Sequence, residues 1–154
     1  MKEYKYIYNS KLGNLIIRAT DKALLEISYY NLEDEILSQS KNKIIEDTIN
    51  QLEEYFANKR KKFDLPIEFS GTEFQIKVWK NLLKVPYGET KSYKDIAKMI
   101  GNEKAVRAVG GANNKNKISI VVPCHRIVGQ SGKLIGYAGG LDKKDLLLKL
   151  ESKN

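Results

Sequence analysis

Hydrophobic periodicity changes once along this chain, and the change constrains the fold more than any other feature. Before residue 41 the apolar residues fall in short strand-like runs, Tyr4-Lys5-Tyr6-Ile7-Tyr8, Asn14-Leu15-Ile16-Ile17-Arg18-Ala19 and Ala23 to Tyr30. Lys11-Leu12-Gly13 makes a compact turn between the first two. From Lys41 onward Ile45, Ile49, Leu52 and Phe56 recur at helical spacing, up to the basic run Lys59-Arg60-Lys61-Lys62, which is expected to end that helix. Residues 1–68 therefore predict a small sheet-plus-helix lobe and residues 69–154 a mostly helical part. The expected class is α+β.

Several classes are excluded at once. One Cys cannot form an internal disulfide, no apolar run approaches the roughly 18 residues needed to span a bilayer, and the N-terminus lacks the apolar middle of a signal peptide. A soluble, cytoplasmic protein with no membrane partner is expected. Charge is divided unevenly. Residues 1–68 carry 11 Lys+Arg against 12 Asp+Glu, net −1, whereas residues 69–154 carry 16 against 7, net +9. A concentrated positive field fits a polyanion such as nucleic acid, because each cation that meets a phosphate releases counterions. A solubility charge is the other meaning of the same numbers.

The second part opens with a capping box, Thr72-Glu73-Phe74-Gln75, ahead of an apolar stripe of Phe74, Val78 and Leu82. Pro86-Tyr87-Gly88 turns the chain, and Ser92-Tyr93-Lys94-Asp95 starts a second helix with Ile96, Ala97 and Ile100 apolar and Gly101 as its stop. A third helix is expected over about 103–112 after a two- or three-residue turn, the layout of a helix-turn-helix. Its surface is nearly bare. Ala105, Ala108, Gly110, Gly111 and Ala112 leave Arg107 as the one long donor, too few for major-groove base reading. Small residues allow close backbone approach to a groove wall, or tight packing inside. Both remain open from the sequence.

Chemistry concentrates where the only Cys meets the only His. Ile118 to Val122 is expected as a buried strand running into Pro123-Cys124-His125-Arg126. A neighbouring imidazole and guanidinium are expected to lower the Cys124 pKa and make its thiol nucleophilic. One Cys and one His cannot fill a tetrahedral metal shell, so no metal or other cofactor is expected. After a turn at residues 129–132 comes the glycine-rich loop Ile135-Gly136-Tyr137-Ala138-Gly139-Gly140, where a planar ligand could lie against backbone. The last helix begins near Asp142 and carries Leu147, Leu148, Leu150 and Glu151. A buried Glu151 would need a partner, for which His125 is the candidate; a solvated terminal Glu is the alternative.

Together these residues resemble the O6-alkylguanine-DNA alkyltransferases, the methylated-DNA–protein-cysteine methyltransferases. The resemblance rests on Pro123-Cys124-His125-Arg126 with Tyr87-Gly88-Glu89, Ser92-Tyr93, Arg107-Ala108-Val109-Gly110 and Gly136-Tyr137-Ala138-Gly139-Gly140-Leu141 in the family's order and spacing. It covers about residues 69–152; the first lobe matches in size and character. It implies a ribonuclease H-like first lobe and a winged helix-turn-helix-like second domain. It further implies that Cys124 takes the alkyl group, activated through His125 with Glu151 completing the relay. Tyr93 would help the guanine leave, and Asn116 would tie the helix-turn-helix to the active-site segment. Arg107 would fill the gap of the flipped nucleotide on a DNA-binding surface made with Ser92 and the small residues of the third helix. Val128, Tyr137 and Ala138 would line the base pocket. The implied partner is double-stranded DNA bearing O6-alkylguanine, on a background of non-specific duplex, and the implied state is a monomer. Lys117 and Ala138 depart from the family pattern, which has Pro at the first and in many members Ser at the second.

Three other functions compete. A non-enzymatic alkyltransferase-like damage binder would lack the Cys, which is present. An operator-reading regulator fits poorly with a bare helix, and a thiol hydrolase would turn over repeatedly.

Overall fold

Ser10 pairs with Gly13 across a two-residue turn, and Gly13 takes φ +96°, a conformation open to glycine at little cost. This turn starts a three-stranded antiparallel sheet of β1 (Glu3–Ser10), β2 (Gly13–Thr20) and β3 (Leu24–Tyr29), in that order. The computed structural model describes residues 1–30 and 38–152, which form two compact units, Met1–Phe69 and Ser70–Asn154. In the first unit Leu15, Ile17 and Ala19 of β2 alternate onto the core face, joined by Leu24 and Ile27. Helix α1 (Lys43–Phe56) covers them with Ile44, Ile45, Thr48, Leu52, Tyr55 and Phe56, a stripe centred one position away from the predicted Ile49. Residues flanking the sheet occupy its edges: Ser40 N–H donates to the Lys5 carbonyl (2.9 Å), and Leu24 N–H to that of Pro66 (2.7 Å).

The basic run does not end α1. Asn58 does, at φ +61°, with its own N–H on the Tyr55 carbonyl and Lys59 N–H on that of Glu54. This is a Schellman closure with Asn in the left-handed position, two residues past the last helical one.

In the second unit α2 (Glu73–Leu82) has the predicted capping box, Thr72 Oγ1 accepting from Gln75 N–H (3.1 Å) and Gln75 Oε1 from Thr72 N–H (3.0 Å). Its inner face is Val78, Trp79, Asn81 and Leu82, with Phe74 only half-buried; Trp79 Nε1 donates to the Ala112 carbonyl (2.8 Å). Helix α3 (Tyr93–Met99) is capped reciprocally by Ser92 and Asp95 and closed by Gly101 at φ +80° in a second Schellman motif. Helix α4 runs over Val106–Asn114, later than predicted, after a six-residue connection. The Schellman closure consumes residues 101 and 102, and Ala105 N–H turns back onto the Asn102 carbonyl (3.1 Å), so helical bonding cannot start at Glu103.

Residues 118–122 are buried but are not a strand. Val121 N–H closes on the Ser119 carbonyl (2.8 Å) around Ile120 at φ +74°, a γ-turn of the rarer, strained hand. Cys124 N–H then closes on Val122 (2.8 Å) around Pro123 at φ −81°, ψ 62°, an inverse γ-turn whose φ the proline ring favours. An apolar run marks burial but cannot distinguish a ladder from a coil whose amides bond within itself. Beyond it a 3-10 turn, Cys124–Arg126, leads into β5 (Ile127–Val128), which pairs in parallel with β4 (Lys91–Ser92). Helix α5 (Leu141–Ser152) closes the unit. Among the described residues no helix is long and apolar enough to cross a membrane.

Candidate active site

Cys124 stands at the first position of the 3-10 turn and is nearly buried, 4% exposed. The turn, rather than the extended segment expected, changes where the neighbouring side chains go. His125 and Arg126 are both buried and both directed to the same carboxylate on α5. His125 Nε2 lies 2.7 Å from Glu151 Oε2, Arg126 Nε donates to Glu151 Oε1 (2.9 Å) and Arg126 Nη2 to Oε2 (3.0 Å). Gly88 N–H adds a further bond to Oε1 (3.2 Å). Glu151, 1% exposed, is thus a fully satisfied buried anion and not a solvated terminal residue. Its bonds to His125 and Arg126 hold its carboxyl far below the usual carboxylate range despite burial.

Arg126 differs from its predicted role. It serves Glu151 and the Val85 carbonyl (2.7 Å), so it is not the charge that bears on the thiol. Burial pushes the Cys124 thiol up, opposite to the expected lowering, and what pulls it down is a bond from Asn116 and the charge of Lys144. Asn116 Nδ2 reaches Cys124 Sγ (3.1 Å) and the Val122 carbonyl (2.9 Å), while its Oδ1 accepts from Ile118 N–H (3.0 Å). One carboxamide therefore folds the 118–124 turn and touches the sulfur.

Burial also pushes His125 down, against the pull of Glu151, so the resting imidazole is neutral at pH 7. With Nε2 engaged by the carboxylate, Nδ1 is the nitrogen left for a proton; it is buried and has no hydrogen-bond partner among the described residues. A neutral base one residue from a neutral thiol, with no direct bond between them, can accept the thiol proton through a bridging water, and the adjacent anion stabilises the imidazolium that forms.

Nothing in the sequence sets Lys144 apart from the other lysines. The inward face of α5 is Lys144, Leu147 and Glu151, spaced by three and four, whereas the leucines alone drew attention to Leu148 and Leu150. Lys144 is fully buried, donates to the carbonyls of Ile135 (2.8 Å) and Gly136 (3.3 Å), and burial lowers its pKa to about 8. It remains charged at neutral pH. The Ile135 carbonyl also accepts from the Tyr93 hydroxyl (2.9 Å), which burial and the nearby thiolate keep protonated, against a smaller opposing pull from Asn113. Tyr93, the glycine-rich loop and α5 thus meet at one carbonyl. Gly136 there takes φ +54° with the Asn114 side chain pressed against its Cα, where a Cβ would lie 2.9 Å from Asn114 Oδ1.

The remaining predicted positions divide by exposure. Arg107, Ala108 and Gly111 are exposed on α4 and Ala105 and Gly110 half-exposed, but Ala112 is buried, its carbonyl holding Trp79. Tight packing therefore describes Ala112, and an open surface describes Ala108 and Gly111. The Ser92 side chain is engaged in capping α3, and its backbone pairs beside the buried Val128. Tyr137 is half-buried and Ala138 exposed on the loop that Lys144 holds. Among the described residues no cluster of His, Cys, Asp and Glu could hold a metal ion.

A buried thiol next to a buried imidazole–carboxylate pair fits a protein that uses its own thiol as a group acceptor, carried on a small helical unit whose helix α4 exposes small residues and Arg107. Comparison with known proteins agrees. The model of the 6-O-methylguanine DNA methyltransferase DNA-binding domain matches residues 73–153, and that of the ribonuclease-like domain of the same proteins matches residues 4–69. A methylated-DNA–protein-cysteine methyltransferase of Methanosarcina mazei is 46% identical, and one of Methanosarcina barkeri 44% identical, each over 98% of both chains. The crystal structure of the Mycobacterium tuberculosis O6-methylguanine methyltransferase superimposes with a TM-score of 0.88 at 39% identity, covering 99% of this chain and 94% of that one. The M. tuberculosis protein in complex with DNA gives 0.87 at 41%, covering 96% and 91%. The chain belongs to the 6-O-methylguanine DNA methyltransferase family.

Proposed function

We propose that this protein repairs DNA by moving the alkyl group of O6-alkylguanine, and of O4-alkylthymine, onto Cys124 in a single irreversible turnover. The observation that carries this is the buried Cys124 sulfur held by Asn116 at 3.1 Å beside a neutral His125 bonded to Glu151 at 2.7 Å. The thiol proton passes through a bridging water to His125 Nδ1 as sulfur attacks the alkyl carbon in line; the C–O6 bond breaks, and its electron pair leaves with the guanine. Tyr93, a neutral donor at the pocket, assists that departure. The thioether product is stable, so each molecule acts once.

The target atom is hidden in the duplex, and the base must be extruded at a cost of a few kcal/mol. Arg107 is proposed to fill the hole, with Ala105, Ala108, Gly110, Gly111 and Ser92 forming the contact surface, and Val128, Tyr137 and Ala138 lining the base pocket. The exposed Gly111 has nothing within 4 Å of where a Cβ would be. A mid-helix glycine costs about 1 kcal/mol relative to alanine with no packing reason here, which supports a surface kept clear for a groove wall. Residues 69–154 carry both activities, acting as a monomer in the cytoplasm, and their +9 net charge supplies sequence-independent affinity that falls steeply with salt.

Mass spectrometry after incubation with a duplex containing O6-methylguanine tests the reading. One added methyl group on Cys124, absent in Cys124→Ala, is expected. A methyl elsewhere, or more than one equivalent of DNA repaired, would overturn it.

A further inference from the structure

The basic run Lys59-Arg60-Lys61-Lys62 neither ends α1 nor takes any part in the chemistry above. It is nonetheless held as a fixed turn. Lys59 N–H bonds to the Glu54 carbonyl (2.8 Å), and the half-buried Arg60 donates from Nε to Glu54 Oε1 (2.9 Å) and from Nη1 to the Lys62 carbonyl (2.9 Å). Just beyond, the Gln51 carboxamide clamps Asp64, donating to its carbonyl (2.9 Å) and accepting from its N–H (2.8 Å), while the Phe63 ring packs on Tyr55 with centroids 5.4 Å apart. The turn between β1 and β2 brings a fifth cation to this end of the unit, Lys11 Nζ donating to the Phe56 carbonyl (3.4 Å). Lys11, Lys59, Lys61 and Lys62 are exposed.

Neither helix-end electrostatics nor solubility accounts for this crowding. The pull of a helix C-terminus on cations fades within its last turn, which covers Lys11 at the Phe56 carbonyl but not a run that starts three residues past it. A solubility charge needs no concentration. Residues 1–58 carry 7 Lys+Arg against 10 Asp+Glu, whereas residues 59–62 are four cations in succession. Along the same stretch of chain the carboxylates are Glu53, Glu54 and Asp64, and Glu54 is engaged by Arg60. Like charges held together in a rigid frame repel, so a multivalent anion relieves them, and a turn already ordered gives up little freedom in binding one.

We propose that this turn of the first unit is a second contact for the sugar-phosphate backbone of duplex DNA. Lys11, Lys59, Lys61 and Lys62 meet phosphates, and Arg60 keeps the turn in shape. The contact is independent of sequence, because ammonium groups act on phosphate as point charges and offer no base-reading fork. It adds to the +9 charge of residues 69–154. A chain tied to DNA through one unit presents the other at high local concentration, so even weak phosphate contacts lengthen its stay on undamaged duplex. The contact needs DNA as the partner and does not depend on the transfer step.

The test compares equilibrium binding to an undamaged duplex, between about 50 and 200 mM salt, for the parent and two variants of equal charge. In Lys59→Gln/Lys61→Gln/Lys62→Gln the slope of log affinity against log salt should become shallower by about 2–3, with affinity near 100 mM salt at least about tenfold lower. Lys5→Gln/Lys22→Gln/Lys43→Gln, which removes three cations elsewhere on the unit, should bind within about twofold of the parent. A second measurement uses the parent alone: bound duplex should shield Lys11, Lys59, Lys61 and Lys62 from amine acetylation and leave Lys5, Lys22 and Lys43 reactive. Stoichiometry at saturation identifies the source of the phosphates, one duplex per molecule for a contact on the lesion-bearing DNA and two for a neighbouring duplex. An unchanged slope in the first variant, equal losses in both variants, or acetylation of the turn indifferent to DNA would each overturn the proposal. None of these outcomes depends on alkyl transfer, whose failure would be seen separately as the absence of a methyl group on Cys124.

Discussion

The two units bury different things. Among the described residues of Met1–Phe69 the interior is apolar apart from Thr20 and Thr48, whose hydroxyls bond to nearby backbone, and charged side chains pair at the surface, as Arg18 does with Glu3 and Glu26. In Ser70–Asn154 the interior holds Asn113, Asn116, His125, Arg126, Lys144 and Glu151. Burying ionic groups is generally neutral or unfavourable next to an apolar core of the same shape. A unit of similar size in the same chain is compact with no buried ionic side chain among its described residues, so a compact unit does not require them. They gather around Cys124, the proposed acceptor.

The largest effect is expected from removing the anion at the centre of this interior. Glu151→Gln leaves Arg126 buried with a weakened partner and His125 without a counterion for its protonated form, so a loss of about 3–5 kcal/mol is expected by chemical denaturation. Alkyl transfer should slow by roughly two to four orders of magnitude, the usual worth of a positioned base. An unaltered rate in the folded variant would show that the relay is structural.

The same groups set the acid limb of stability. Glu151 is held below its unfolded pKa, so its contribution is complete above about 4.3 and fades as pH falls beneath that. His125 is also held below its unfolded value, so stability falls as pH drops below about 6.5, where the unfolded chain takes a proton that the folded one refuses. Both act in the same direction. Melting temperature measured from pH 7 to 2.5 should decline in the parent, and Glu151→Gln should lose the part of that decline below about pH 4.3.

Exposed charge should behave differently from buried charge. Arg107→Ala is expected to slow reaction with alkylated duplex at least tenfold more than reaction with free O6-benzylguanine, which needs no extrusion, and to leave stability within about 0.5 kcal/mol. Equal losses on both substrates would give Arg107 another role. The smallest effect belongs to the first unit. Arg18→Ala removes two surface ion pairs and should change stability by no more than about 1 kcal/mol, with no change in transfer rate. A rate change there would break the division of labour drawn between the units.

What could be read from the sequence follows the same division. Strands, α1, both capping boxes and the Gly101 stop were legible, because each is a local contest between backbone amides and nearby side chains. The Cys124, His125 and Glu151 set was legible through single-copy residues and the family resemblance. Beside the end of α1 and the start of α4, three features of the site were not. The coil at 118–122 looks like a strand, because burial and not pairing shapes its composition. Lys144 hides as one of many lysines, detectable only by its place three before Leu147 and seven before Glu151 on one helix face. The direction of Arg126, toward Glu151 and away from the sulfur, depends on a 3-10 turn that adjacency in sequence cannot reveal.

The central claim is that this buried polar interior, and not the basic surface, makes Cys124 a nucleophile. Cys124 is the only thiol, so the rate of its alkylation by iodoacetamide against pH reports it alone. The parent should titrate at a lower pH than His125→Ala, Glu151→Gln and Lys144→Met, with Lys144→Met displaced by roughly one unit or more, as expected for loss of a nearby opposite charge. Four superimposable curves would contradict the account.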